Sequence, residues 1–229
     1  MKGSDWIKTL PACEPAGKTA AQLGAELRDR AQRVLEASST ARFEWGLVVI
    51  DEELSDGRRH RVELRVMADA MLVGEGNDWV RPTAPQTTQQ LICDRIGALF
   101  ATEKIADMAW LQSAVKLNPQ TMTPDGRMAS TARMRENSLM VDAALHAANF
   151  EAGGYKAGSF IGIVGSVSKY WAMTNRLAAQ PTKAANAGWH VGHGRSQFRT
   201  PGGLNVLQPL GLAHDDDGKG PKSDHDDYS

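Results

Sequence analysis

The side chains best suited to chemistry are concentrated in the last third of the chain. Four of the six histidines lie there. They are His190, His193, His214 and His225. Two acidic runs, at residues 215–217 and 224–227, accompany them. Because imidazoles and carboxylates bind metal ions and transfer protons near neutral pH, any reaction centre is predicted in this region.

One interpretation of these residues is a metal site. His190 and His193 are three residues apart, but Gly192 and Gly194 argue against the helix on which that spacing makes imidazoles converge. His214 beside Asp215 and His225 beside Asp226 add further nitrogen and oxygen ligands. Three such ligands and a water would form a hydrolytic zinc site, so zinc is the candidate cofactor. The alternative is that His193, His225 and the acidic runs are solvated loop residues.

A second interpretation is acid–base or nucleophilic chemistry without a metal. His190 or His214 would be the general base and Asp227 would orient it, with Ser229 or Lys169 nearby. No serine has the Gly-x-Ser-x-Gly context of a nucleophile elbow. The two cysteines, Cys13 and Cys93, lack a catalytic-cysteine context. Cys93 falls within a helical apolar pattern and is predicted to be a buried thiol.

Composition narrows the class of protein. With 229 residues, 41% hydrophobic and 23% charged, the chain is typical of a soluble globular protein. A net charge of −1 gives no electrostatic reason to expect nucleic acid or an anionic membrane as partner. The basic cluster at residues 58–61 is predicted to be a solvated hairpin turn.

Membrane and export signals are also missing from the sequence pattern. No apolar run approaches the roughly 20 residues that span a bilayer. The first six residues contain Asp5 and no apolar core, unlike a signal peptide. We therefore expect a protein that is cytoplasmic, or released without a signal peptide. Its oligomeric state stays open.

The first half of the chain predicts helix and antiparallel strand. Residues 1–19 have no periodicity and are interpreted as an arm or loop. Residues 20–37 carry an apolar stripe at helical spacing. Residues 42–54 alternate, with a predicted buried face of Phe43, Trp45, Leu47 and Val49. With residues 61–67 they predict an antiparallel hairpin, followed by a short strand at 71–73.

A helical middle and a glycine-rich β region follow. Thr83 and Thr102 are predicted N-caps of two helices, which end at Gly97 and at residues 118–119 respectively. A third helix is predicted over 130–150. Short strands are then predicted at 159–164, 169–173, 187–191 and 206–212. The predicted fold is α+β: an N-terminal helix and antiparallel hairpin, a helical middle, and a glycine-rich antiparallel β region at the C-terminal end. Residues 20–229 are predicted to form a single domain, with a sub-boundary near 151–158.

A series of short motifs resembles an uncharacterised bacterial and phage-associated protein family. The likeness covers roughly residues 60–229 and runs through the following segments. They are Asp78-Trp79-Val80-Arg81-Pro82, Ala101-Thr102-Glu103-Lys104-Ile105, Gly188-Trp189-His190, Gln208-Pro209-Leu210, His214 and Asp227-Tyr228-Ser229. The resemblance implies that His190 and His214 occupy histidine positions of that family. It also implies a pattern that continues beyond Ser229 into His-Gly and another strand.

These observations lead to two hypotheses. The first is a hydrolase-like domain in which His190, His214 and Asp227 converge on a polymeric or small-molecule substrate, with a cell-wall or other bacterial polymer as the expected class. The second is a non-catalytic virion or cell-envelope protein that uses some of its tryptophans and methionines for binding. An exposed apolar patch would favour the second.

Overall fold

The structure is a computed structural model that describes most of the chain up to residue 148 and several strands after it. The described residues are 1–118, 120, 122, 125–148, 162–165, 167, 170–173, 175, 178, 183–187, 191–192, 195–198 and 204–209. Within them, five α-helices and eleven mostly antiparallel strands confirm the α+β fold.

The N-terminal residues are helical and packed. Helix α1 spans Gly3–Trp6, and a 3₁₀ turn spans Ile7–Thr9. Trp6, Ile7 and Leu10 are buried in one apolar cluster. The loop predicted for residues 1–19 is therefore wrong at residues 3–9. The segment is too short to show a hydrophobic period, yet its apolar side chains pack on the core.

Helix α2 spans Ala20–Ala37 and confirms the predicted apolar stripe. Its N-terminus is closed by a capping box, in which the Thr19 hydroxyl accepts from the Gln22 N–H and the Gln22 side chain accepts from the Thr19 N–H. The buried Arg30 guanidinium donates to the Ala129 carbonyl at 2.6 Å. Helix α2 is thereby tied to the segment that leads into the last helix.

Strands β1 (Trp45–Glu53) and β2 (Arg59–Met67) form the predicted antiparallel hairpin. The predicted buried face is wrong: Leu47 is 57% exposed, whereas its neighbour Val48 is 0% exposed. Val48 packs with Ile163, because tertiary contacts select the opposite face of β1.

The next strands and helix α3 run from residue 73 to residue 96. Strands β3 (Val73–Glu75) and β4 (Asp78–Val80) form an antiparallel pair, so the strand predicted at 71–73 lies further along the chain. Helix α3 spans Gln86–Ile96 and ends, as predicted, at Gly97 with φ +68°. Thr83 is not its N-cap. A cap there would make Ala84 helical, but Ala84 precedes Pro85 and helical backbone is disfavoured before proline, so α3 begins only after Pro85.

Helix α4 (Glu103–Leu111) begins at the predicted N-cap, where the Thr102 hydroxyl accepts from the Ile105 N–H. The predicted end at 118–119 is wrong. The Gln112 side chain accepts from the Val49 N–H at 3.0 Å and donates to the Val49 carbonyl at 2.7 Å, and the chain leaves the helix here.

Two short parallel strands flank the last helix. They are β5 (Val115–Lys116) and β6 (Val164–Gly165). Helix α5 spans Thr131–Ala147, within the range predicted for it, and Ser130 caps its N-terminus. Its side chains Val141 and Leu145 are buried against β6. Residues 159–161 of the predicted strand lie outside the described residues.

The C-terminal region supplies the remaining strands. They are β7 (Tyr170–Ala172), β8 (Lys183–Ala187), β9 (Val191–Gly192), β10 (Arg195–Phe198) and β11 (Leu204–Pro209). Strands β7, β8 and β11 form an antiparallel sheet with β8 in the centre, and β9 pairs with β10. The predicted antiparallel β region is therefore confirmed. The predicted sub-boundary at 151–158 lies outside the described residues.

Candidate functional site

The predicted site residues His190, His214 and Asp227 lie outside the described residues. The same holds for the other members of both site hypotheses. They are Lys169, His193, Asp215, His225, Asp226 and Ser229. What the structure does provide is the register of the strands that precede His190 and His214 in the chain.

That register sets a condition on any shared centre. Ala187 at the end of β8 is aligned with Leu204, and Lys183 at its start with Pro209. His190 follows the end of β8 by three residues, whereas His214 follows the end of β11 by five. Those two strand ends are four residue steps apart, or about 13 Å. His190 therefore follows one end of this strand pair and His214 the other, and a shared centre requires the residues after the two strands to span that distance.

The two described histidines lie on separate elements. His60, on β2, has its side chain 47% exposed and lies 3.5 Å from the Asp56 carboxylate. His146 is exposed on α5, four residues after Asp142. No group of three or more histidine, cysteine, aspartate or glutamate side chains among the described residues is arranged to hold a metal ion.

The strongest charged cluster in the described part surrounds Arg81. Its Nε donates to Asp69 Oδ1 at 2.9 Å, and its Nη2 donates to Asp69 Oδ2 at 2.7 Å. Its Nη1 donates to Asp142 Oδ1 at 2.5 Å. The side chains of Arg81 and Asp69 are 5% and 0% exposed, and that of Asp142 is 41% exposed. The Arg81 backbone N–H donates to the Ser138 hydroxyl at 3.0 Å.

The surroundings of Arg81 favour the charged form of its guanidinium. Burial opposes the charge of Arg81, but the carboxylates of Asp69 and Asp142 outweigh it and raise the pKa of Arg81 above its ordinary value. The bidentate geometry with Asp69 is the strong form of an arginine–carboxylate pair. Because the buried guanidinium is held by both carboxylates, the cluster links the end of β4 to helix α5 and to Asp69, just after the hairpin.

The cysteines are poorly suited to nucleophilic chemistry. Both are free, Cys13 is buried, and Cys93 is partly buried rather than fully buried as predicted. Burial raises the pKa of both thiols, which disfavours the reactive thiolate. Cys13 has a φ of +53°, and its N–H donates to the Glu26 carboxylate at 2.9 Å.

Sequence reasoning missed the Arg81 cluster, although a signal was available. Asp69 stands between two alanines just after an alternating strand, where a lone carboxylate has to be paired if it is buried. Arg81 belongs to the motif Asp78-Trp79-Val80-Arg81-Pro82, one of the segments that carry the family resemblance. Nothing in the spacing of Asp69, Arg81 and Asp142 reveals that they meet.

Comparison of the chain with protein families, with curated proteins and with solved structures finds no match. None of the described helices combines the length and apolar character needed to cross a membrane.

Proposed function

We propose that this chain is a hydrolase-like domain acting on a cell-wall or other bacterial polymer, with His190, His214 and Asp227 at one reacting centre. The pairing of β8 with β11 is the observation that carries the proposal. The strands are antiparallel, so His190 and His214, 24 positions apart in sequence, follow opposite ends of one strand pair. Those ends lie about 13 Å apart, a distance that the three and five residues after the strands can span. The resemblance to a phage-associated family motivates the choice of substrate class.

The strand register also supports a cationic neighbour for His190. Tyr170, the first residue of β7, is aligned with Ala187, the last residue of β8. Lys169 and His190 therefore adjoin the same end of the sheet along the chain. A lysine near a histidine base is suited to stabilising the negative charge that develops when a carbonyl or acetal is attacked by water.

In the proposed mechanism one imidazole takes a proton from the attacking water. Asp227 accepts a hydrogen bond from that imidazole and orients it. The second imidazole, in its protonated form, donates a proton to the leaving group. In the alternative that uses a metal, neither imidazole acts as a base, and both would instead hold zinc together with Asp227. Two imidazoles and a carboxylate are a ligand set that suits zinc, which would supply a water activated at neutral pH.

Release of soluble fragments from purified peptidoglycan and from other bacterial polysaccharides tests this proposal. We expect the wild-type chain to release fragments and His190→Ala or His214→Ala to lower the rate at least about 100-fold, the scale of losing a general acid or base. His146→Ala is the matched control, because His146 is exposed on α5. Zinc measured on each purified variant separates the two chemistries, since only the metal mechanism predicts that zinc is lost with either histidine. No release from any polymer, or equal release by all variants, contradicts the proposal.

One observation favours the second hypothesis, a non-catalytic virion or cell-envelope protein. Trp45, Leu47 and Met67 are 40%, 57% and 36% exposed, and their alternation places them on the outer face of the hairpin. Trp45 is aligned with Met67, so the three side chains form one apolar patch at the base of the hairpin. Exposed patches of this kind mark binding surfaces.

Co-sedimentation with isolated bacterial envelopes tests this second function. We expect Leu47→Ser to reduce the sedimented fraction if the patch binds. Leu99→Ser is the control, because Leu99 is 77% exposed after α3 rather than on the hairpin. Sedimentation that is equal for both variants, or none at all for the wild type, contradicts envelope binding through this patch.

A further inference from the structure

The hairpin has two edges that differ in their surroundings. On the β1 edge, the Gln112 side chain occupies both backbone groups of Val49. On the other edge, β2 pairs with no further strand within the described part of the chain. Residues 59–63 are all exposed. Strand β2 therefore presents a nine-residue edge to which another strand could be added.

The hydrogen bonds between β1 and β2 show which backbone groups lie on this outer edge. The Ala68 N–H donates to the Glu44 carbonyl at 2.8 Å, and the Leu54 N–H donates to the Arg58 carbonyl at 2.9 Å. Hydrogen-bonded positions alternate along an antiparallel ladder, so the even-numbered residues of β2 face β1. The N–H and C=O groups of Arg61, Glu63 and Arg65 consequently point outward.

The inward face of the hairpin is incompletely covered on the β2 side. Helix α4 contributes Met108 and Ala109 to the cluster around Val48 on β1. Val62 on β2 remains 48% exposed, and Leu64 is partly exposed. A further strand beside β2 would extend this apolar face if its alternate side chains, on the same side of the sheet as Val62 and Leu64, were also apolar.

We propose that the β2 edge pairs with the β2 edge of a second copy of this chain. The two strands run antiparallel about a two-fold axis at Leu64, forming a four-stranded sheet. In this register Glu63 lies opposite Arg65 of the second copy, twice by symmetry. Val62 lies opposite Val66, and Leu64 lies opposite its own symmetry mate on the apolar face.

Charge complementarity selects this register over its neighbours. An axis at Glu63 would place two glutamates together and Arg61 opposite Arg65. An axis at Val62 would place Arg61 opposite Glu63, but it would also place Arg59 opposite Arg65. Like charges directly opposite each other destabilise a sheet, whereas opposite charges stabilise it. In the described structure Glu63 already accepts from Arg61 at 2.7 Å on the same strand, and Arg65 of the second copy would approach its other side.

Single and reciprocal charge reversals test the dimer. The mass and dissociation constant are measured by sedimentation equilibrium on the full chain. Glu63→Arg and Arg65→Glu each place like charges opposite one another twice, so each dimer should weaken about tenfold or more. The double variant reverses both partners and should regain the wild-type dimer.

A mixture of the two single variants provides the sharpest readout. A chain with arginine at positions 63 and 65 and a chain with glutamate at both are complementary at both cross-strand pairs. The mixture should therefore form a heterodimer at concentrations where each variant alone dimerises about tenfold or more weakly than the wild type. Arg28→Glu, on the exposed face of α2, makes the same change of charge as Arg65→Glu and should leave dimerisation unchanged. Far-UV circular dichroism confirms that each variant is folded.

A wild-type chain that remains monomeric at its highest soluble concentration overturns the proposal. A dimer that withstands both single reversals overturns it as well, because its interface would lie elsewhere.

Discussion

Replacement of Arg81 by methionine should strongly destabilise the fold. The Arg81 side chain donates two hydrogen bonds to Asp69 and one to Asp142. The Asp69 side chain is 0% exposed, so the substitution leaves a buried carboxylate without its bidentate partner. Removal of one member of a buried ion pair costs about 3–5 kcal/mol. That is a large part of the total stability of about 5–15 kcal/mol typical of a folded chain.

Urea unfolding followed by circular dichroism measures this loss. With an m-value of about 2 kcal/mol per molar urea, the midpoint of Arg81→Met should fall by about 1.5–2.5 M. Asp142→Ala is the matched comparison, because it removes the partner whose side chain is 41% exposed. Since water screens that contact, we expect it to cost only about 0.5–1 kcal/mol.

A double-mutant cycle separates the charge from the packing. Asp69→Asn combined with Arg81→Met removes both charges of the buried pair, so the double variant should be less destabilised than the sum of the single variants. A loss of less than about 1 kcal/mol in Arg81→Met, or one no larger than that in Asp142→Ala, would contradict a stabilising role of the buried ion pair.

Three further predictions concern local features. The Arg133 side chain and the Arg127 backbone N–H lower the pKa of Asp125 to about 2. The ionised Asp125 therefore stabilises the fold fully above its ordinary pKa of 3.8, and this stabilisation is lost as pH falls towards about 2. In Asp125→Asn the urea midpoint should therefore depend less on pH across that range. Gly46→Ala should cost about 1–3 kcal/mol, because a Cβ there would lie 2.3 Å from Ile163 Cγ1. Thr102→Ala should cost about 1 kcal/mol through loss of the α4 N-cap.

Each local prediction has a result that would contradict it. For Asp125, it is an unchanged pH slope in Asp125→Asn. For Gly46, it is an alanine variant as stable as the wild type, which would mean that Ile163 moves aside freely. For Thr102, the comparison is Thr83→Ala, since Thr83 precedes α3 without capping it; equal losses would deny the role of the Thr102 cap.

The sequence was most informative where local rules decide the structure. Helix α2 has its predicted bounds because the apolar spacing and the polar residues before it agree. Thr102, Ser130 and Gly97 mark helix ends through capping and left-handed backbone, which depend on neighbouring residues alone.

Tertiary contacts account for the wrong predictions. Strand β1 is apolar on both faces, so alternation could not reveal that Val48 faces Ile163 while Leu47 faces outward. Helix α4 ends early where the Ala114 N–H donates to the Ile163 carbonyl, 49 residues away in sequence, instead of continuing the helical hydrogen bonds. The Arg81 cluster likewise joins residues 12 and 61 positions apart. The predicted site depends on the same kind of contact, between His190 and His214.

The coupling between His190 and His214 tests the central claim most directly. Turnover of the polymer substrate is measured for the wild type, His190→Ala, His214→Ala and the double variant. Residues that serve one centre are strongly non-additive, so the double variant should be about as slow as the slower single variant. Losses that multiply would show that the two histidines act independently and would contradict a shared reacting centre.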